Sequence, residues 1–119
     1  MWCICSPDLG VGATLDRLGQ LDPVVLIGLP GYEFNGRWFD TTARLDSIET
    51  GLPTLRSTIV VAAQYSSAQR DDSRVPFHDL LADRASAEFA QVPFDHPLWV
   101  LFTWAPPAPP RASSTATAE

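Results

Sequence analysis

Cysteine, histidine and basic residues are all scarce in this 119-residue chain, and each shortage excludes a class of function. Cys3 and Cys5 stand alone as a C-x-C pair near the start. With no second pair they are too few for a zinc site, and they are too close for an ordinary disulfide. Free or buried thiols in a reducing cytosol are the expectation. The eight Lys and Arg residues are scattered along a chain of net charge -6, so no basic stripe exists to neutralise phosphates. Nucleic acid is therefore not an expected partner. No basic residue precedes a long apolar run at the N-terminus, which speaks against a secretory signal, and the apolar stretches fall far short of a membrane span. The expected compartment is the cytoplasm, with no membrane partner.

What is present suffices for one modest domain: 45% hydrophobic and 10% aromatic residues. Trp2 to Cys5 is a short β-prone start. Val11, Leu15, Leu18 and Leu21 then recur at helical spacing, with Gly19 at the helix end. Val24-Val25-Leu26-Ile27 is a continuous apolar run of the kind buried on both faces in parallel sheets, so the opening predicts a βαβ unit. Asn35-Gly36 between Tyr32-Glu33-Phe34 and Arg37-Trp38-Phe39 predicts a hairpin with a type I′ turn. Thr41 or Thr42 can cap a helix through Leu45, Ile48 and Leu52. Residues 58 to 63 predict the next buried strand, residues 64 to 76 a polar insertion without regular structure, and His78 to Ala85 a short helix. Leu98-Trp99-Val100-Leu101-Phe102 supplies a last strand, which Pro97 opens and the Asp95 side chain prepares by closing a turn. The order predicts an α/β fold, a partial, mostly parallel sheet with flanking helices. Beyond Trp104 the Ala/Pro/Ser/Thr composition cannot bury a core, and 103–119 is expected to be disordered.

None of the chemical constellations outweighs its structural alternative. His78 and His96 lack a Ser, Cys or second His at catalytic or ligand spacing. Gly28-Leu29-Pro30-Gly31 follows a strand but has neither G-x-G-x-x-G nor a P-loop Lys, and a hairpin instead of a helix comes next; it reads as a turn. Asp71-Asp72 has no third oxygen ligand at useful spacing. Of Trp2, Trp38, Trp99 and Trp104, three sit in apolar strand contexts, where core packing is simpler than a stacking platform. The residues thus assign no catalytic, cofactor-binding or metal-binding side chain.

Cys5-Ser6-Pro7-Asp8-Leu9-Gly10, Leu15 through Pro23, Gly31-Tyr32 with Asn35-Gly36-Arg37, and the ungapped block Phe89 through Phe102 together resemble the acetoacetyl-CoA synthetase (acetoacetate-CoA ligase) family of the AMP-forming acyl-CoA synthetase superfamily. The resemblance covers about Trp2 to Phe102. It implies that 1–102 is part of the large, AMP-binding N-terminal domain of an adenylate-forming ligase. In that family the last strand runs into a loop of the form Leu-Tyr-Ser-Ser-Gly-Thr-Thr-Gly-Leu-Pro-Lys, which binds the ATP phosphates. Here Leu101-Phe102 matches its start, Thr103 is a variant of it, and Trp104 does not fit.

The resemblance implies a parent that uses ATP, Mg and CoA to make acetoacetyl-CoA, AMP and diphosphate. The chain itself lacks the catalytic motifs and is expected to be an inactive fragment that binds none of these cofactors and whose partner is the remainder of the ligase. Met1 is then expected to be an internal or misplaced start. The tail is expected to be the phosphate loop read in the wrong frame. Dropping the first two bases of the Trp104 codon forces a glycine; Pro106-Pro107-Ala108 then permit Thr-Thr-Gly, and Ser113 through Glu119 permit Ile-Val-His-Gly-His-Gly-Gly. One restored cytosine in codon 104 gives Thr-Ser-Gly-Thr-Thr-Gly. The competing expectation is a non-catalytic α/β interaction module that presents exposed aromatics to a partner.

Overall fold

The computed structural model describes residues 1–61, 73–82 and 85–102, together with the backbone of 112–116. In chain order the elements are β1 (Trp2–Cys3), α1 (Val11–Leu18), β2 (Val25–Gly28), β3 (Gly31–Phe34), β4 (Arg37–Asp40), α2 (Thr42–Gly51), β5 (Ser57–Val60), β6 (Arg74–Pro76), α3 (Phe77–Ala82), β7 (Pro97–Phe102) and β8 (Ala112–Ala116). The fold class is α/β with parallel pairing, as the apolar runs predict. The parallel strands divide between two sheets.

The first sheet has the order β2-β5-β6. β2 and β5 run parallel in the register Val25↔Ser57 to Gly28↔Val60, and β6 adds in parallel on the far side of β5. The central strand is the best covered, with Thr58 and Val60 buried on one face. α2 makes the crossover from β2 to β5, the connection a parallel pair requires. It seats closely because β2 ends in glycine: a Cβ at Gly28 would lie 2.6 Å from Leu45 Cδ1. Leu45 and Leu52 are buried here, and α1 packs on α2 with Leu18 and Thr14 inward. The core of the molecule sits between this sheet and these two helices.

The second sheet has the order β1-β7-β8. β1 pairs in parallel with the middle of β7, Trp2↔Trp99 and Cys3↔Val100, while β8 pairs antiparallel along its length. This corrects two expectations. The opening βαβ unit does not close on itself, because β1 joins β7 instead of β2; strand pairing over such a separation leaves no trace in local periodicity. The unstructured tail is overturned for 112–116, where a β-prone Thr and small residues complete the ladder of β7; residues 103–111 and 117–119 lie outside the described part.

The hairpin forms as expected, Gly31↔Asp40 to Phe34↔Arg37, with Asn35 at φ 50° and Gly36 at φ 70° supplying the left-handed turn. Tyr32 and Phe39 stack across it, ring centroids 5.4 Å apart. The polar insertion is corrected at its end, where Arg74-Val75-Pro76 is a strand. A side chain buried by an ion pair hides this strand from any hydrophobic pattern. Ala62, Ala63 and the rest of the insertion through Asp72 lie outside the described residues.

Candidate functional site

The loop between β2 and β3 is the position from which a phosphate cradle would act, and its hydrogen bonding decides the matter. A cradle directs backbone N–H groups at an anion. Here carbonyls point inward and are used: Gly28 O accepts from Val61 N–H (2.9 Å) and Pro30 O from Thr41 N–H (2.9 Å). The hydroxyls of Thr41 and Thr42 donate to Leu29 O (2.6 Å) and Pro30 O (3.2 Å). These bonds tie the Gly28–Gly31 connection to β5 and to the start of α2, and the chain passes through it directly from β2 into β3. The same bonds revise the start of α2. Neither threonine hydroxyl caps the helix; the Asp40 carboxylate accepts the Thr42 N–H at 2.8 Å, and that bond holds its pKa below the usual carboxylate range.

The remaining candidates do not converge. His78 is largely exposed on α3 and pairs with its neighbour Asp79 (Nε2 to Oδ1, 2.7 Å). His96 is exposed in the turn before β7, which the backbone closes, His96 N–H to Pro93 O at 3.0 Å, in place of the expected Asp95 side chain. Cys3 and Cys5 are both free and half-buried. Burial pushes both thiols up, against the opposing pull of the Arg17 guanidinium on Cys5. Asp71, Asp72 and Trp104 lie outside the described residues. Among the described residues no three His, Cys, Asp or Glu side chains gather as a metal site, and the described helices include none long and apolar enough to cross a membrane.

The strongest polar cluster is one the sequence reading missed. Arg74, at the start of β6, is buried and reaches α2, where its Nε contacts Glu49 Oε1 (3.0 Å) and its Nη2 contacts Glu49 Oε2 and Asp46 Oδ1 (both 2.5 Å). The hydrogen bonds to Glu49 hold the guanidinium more firmly charged than in water. The spacing of Asp46 and Glu49, three residues apart on one helix face, was the available signal. With both carboxylates satisfied by a buried cation, the cluster locks α2 to β6 and has no free group for chemistry.

The core-packing account of the tryptophans is also corrected: Trp2, Trp38 and Trp99 are all exposed. The strand before the expected phosphate loop, β7, buries Val100 and leaves Leu98, Trp99 and Leu101 open.

No family model matches the chain. Acetoacetyl-CoA synthetase of Danio rerio is 31% identical over 113 residues, covering 87% of this chain. The acetoacetyl-coenzyme A synthetase of Rhizobium meliloti is 34% identical over 109 residues. The solved acetoacetyl-CoA synthetase from Streptomyces lividans superimposes with a TM-score of 0.86 at 35% identity over 94% of the chain. The chain is homologous to one segment of acetoacetyl-CoA synthetases. It spans 17% of the length of the Danio rerio relative and of the Streptomyces lividans chain. The resemblance read from the Cys5–Gly10 and Phe89–Phe102 blocks is thereby established for both sequence and fold.

Proposed function

We propose that the chain is a structural segment of an acetoacetate-CoA ligase: it contributes strands and helices to the large domain and leaves the chemistry to other parts of such an enzyme. The observation that carries this reading is the agreement of sequence and fold over 94% of the chain with 17% of a solved synthetase. The parent reaction would join acetoacetate to CoA at the expense of ATP, with AMP and diphosphate as products. ATP, Mg and CoA belong to that parent. Among the described residues the backbone carbonyls of the Gly28–Gly31 loop are engaged within the fold and no group of three His, Cys, Asp or Glu gathers for a cation, which supports placing these cofactors on other parts of the parent. No catalytic or ligand-binding role is assigned to any side chain of this chain, and no step is routed through it.

The tail of 103–119 is taken as the phosphate loop read out of frame. Support comes from the coding arithmetic: dropping two bases of the Trp104 codon forces a glycine and permits Thr-Thr-Gly from Pro106-Pro107-Ala108. Genomic sequence decides this point, and a locus where restoring one base near codons 103 and 104 opens no Gly-Thr-Thr-Gly frame refutes it.

The main reading is tested by a chimera in which residues 1–102 replace the matching segment of the Streptomyces lividans synthetase. Acetoacetate-dependent AMP release by the chimera is expected, alongside no exchange of labelled pyrophosphate into ATP by the isolated chain. A folded chimera without activity, or exchange by the isolated chain above a no-protein control, overturns the reading.

A further inference from the structure

The ribbon of β1 and β7 has two faces of different character. Pairing Trp2↔Trp99 and Cys3↔Val100 places Trp2 with Trp99 on one face and Cys3 with Val100 on the other. Val100 is buried and Cys3 half-buried, so that second face is covered by the chain itself. On the first face, Trp2 is 46% exposed, Trp99 40% and, two residues on, Leu101 54%. Two tryptophans and a leucine in register form a rigid, wide apolar surface, and such rings contribute most when buried. The described helices have their main contacts elsewhere: α1 on α2, α2 over β2, and α3 beside β6.

A mixed sheet that leaves one face to water carries polar side chains on it, whereas this face carries Trp2, Trp99 and Leu101, and a layer over a parallel pair such as β1 and β7 is ordinarily helical because crossover connections place helices there. The same arrangement of strands occurs in a solved synthetase of which this chain matches 17%. The polypeptide that would cover the open face is then the rest of such a ligase, which makes up the other part of the synthetase's length.

We propose that the Trp2–Trp99–Leu101 face is the seat of a helical layer supplied by the remainder of an acetoacetate-CoA ligase, an inference that rests on the segment reading above. The face is a docking surface with one occupant, and its tryptophans report on occupancy.

The test is hydroxyl-radical footprinting, read residue by residue by mass spectrometry, on the isolated chain and on the chimera just described. Trp2 and Trp99 are expected to oxidise readily in the isolated chain and to lose most of that oxidation in the chimera. An active chimera whose Trp2 and Trp99 oxidise as readily as in the isolated chain overturns the docking face and leaves the segment reading standing. Protection of both in a folded but inactive chimera supports the face and defeats the reading. Protection already in the isolated chain that rises with protein concentration assigns the face to a second copy and overturns the proposal. If the chimera does not fold, the positions of the intact Streptomyces lividans synthetase that align with Trp2 and Trp99 give the same readout; exposure there overturns the proposal, and protection supports it.

Discussion

The β2-β5-β6 sheet and the β1-β7-β8 sheet draw on the same vocabulary of apolar strand residues and reach opposite states. In the first, β5 has a strand on either side and α2 above it, and Val60 is almost wholly buried. In the second, β7 also has a strand on either side, yet of its large apolar side chains only Val100 is buried. The ladder on the β1 side of β7 spans only two residues, but a missing stretch of backbone pairing does not decide whether the side chains on the faces are covered. The difference is the second layer. A sheet gains little from apolar side chains until another element covers them, because the stabilisation scales with the area withdrawn from water. Among the described residues the first sheet carries α2 on its buried face, and no helix lies over the Trp2–Trp99–Leu101 face of the second.

Leu52→Ala is the largest expected blow to the self-covered half. Leu52 is 2% exposed, and its truncation should cost about 3 kcal/mol in urea unfolding through lost transfer energy plus a residual cavity. A loss no greater than that of a surface substitution would show that this half is no better packed than the ribbon. Arg74→Ala comes next, at about 2 kcal/mol, because it removes the buried cation that Glu49 and Asp46 of α2 share, the more exposed Asp46 being partly relieved by water. Loss of stability should be accompanied by faster amide exchange in β6, and unchanged exchange there would remove the ion pair from its role as the lock between α2 and β6.

On the other side of the comparison, Leu101→Ala in the isolated chain should change stability by no more than about 0.5 kcal/mol, as for a surface position. An effect equal to that of Leu52→Ala would mean the β7 face is already covered, and the contrast between the two sheets would fail. The smallest effect concerns pH. The Asp40 carboxylate accepts the Thr42 N–H and its pKa is lowered, so its contribution is complete above the ordinary carboxylate range and is lost as pH falls through the depressed value. Thermal midpoints should therefore drop less steeply with acidification in Asp40→Asn than in the unchanged chain. Parallel slopes would remove the cap from the account.

Local signals carried over into the structure where they are self-contained. Asn35-Gly36 specifies its turn because Asn tolerates and Gly freely adopts a positive φ, and the turn is there. Val24 through Ile27 and Thr58 through Val61 indicate strands by composition, and their parallel pairing follows from the helix between them. The pairing of β1 with β7 was not legible, since two residues at the start of a chain name no partner. β6 was hidden for a different reason: its two buried residues are a proline, which rarely marks a strand, and an arginine, whose burial depends on Asp46 and Glu49 arriving from a distant helix. The tryptophans misled because apolar strand context signals burial in a complete domain, and here the covering layer is not among the described residues. The site was legible mainly as a resemblance, since the family blocks carry packing residues and turns in place of reactive groups.

The bonds around Pro30 and Thr41 have a consequence for how this segment tolerates change. Pro30 O accepts the Thr41 N–H at 2.9 Å, and Leu29 O accepts the Thr41 hydroxyl at 2.6 Å, so the chain leaves the β2–α2 connection and returns to it at nearly the same point. The hairpin of 31–40 is a side branch closed at its neck. Its length and sequence can vary without altering the distance between strand and helix, because the neck and not the hairpin sets that distance. The hairpin turn at Asn35-Gly36 is thus a natural port for an inserted tag, fluorophore or longer loop, one that a designer could load without touching the neck or the parallel pair beneath.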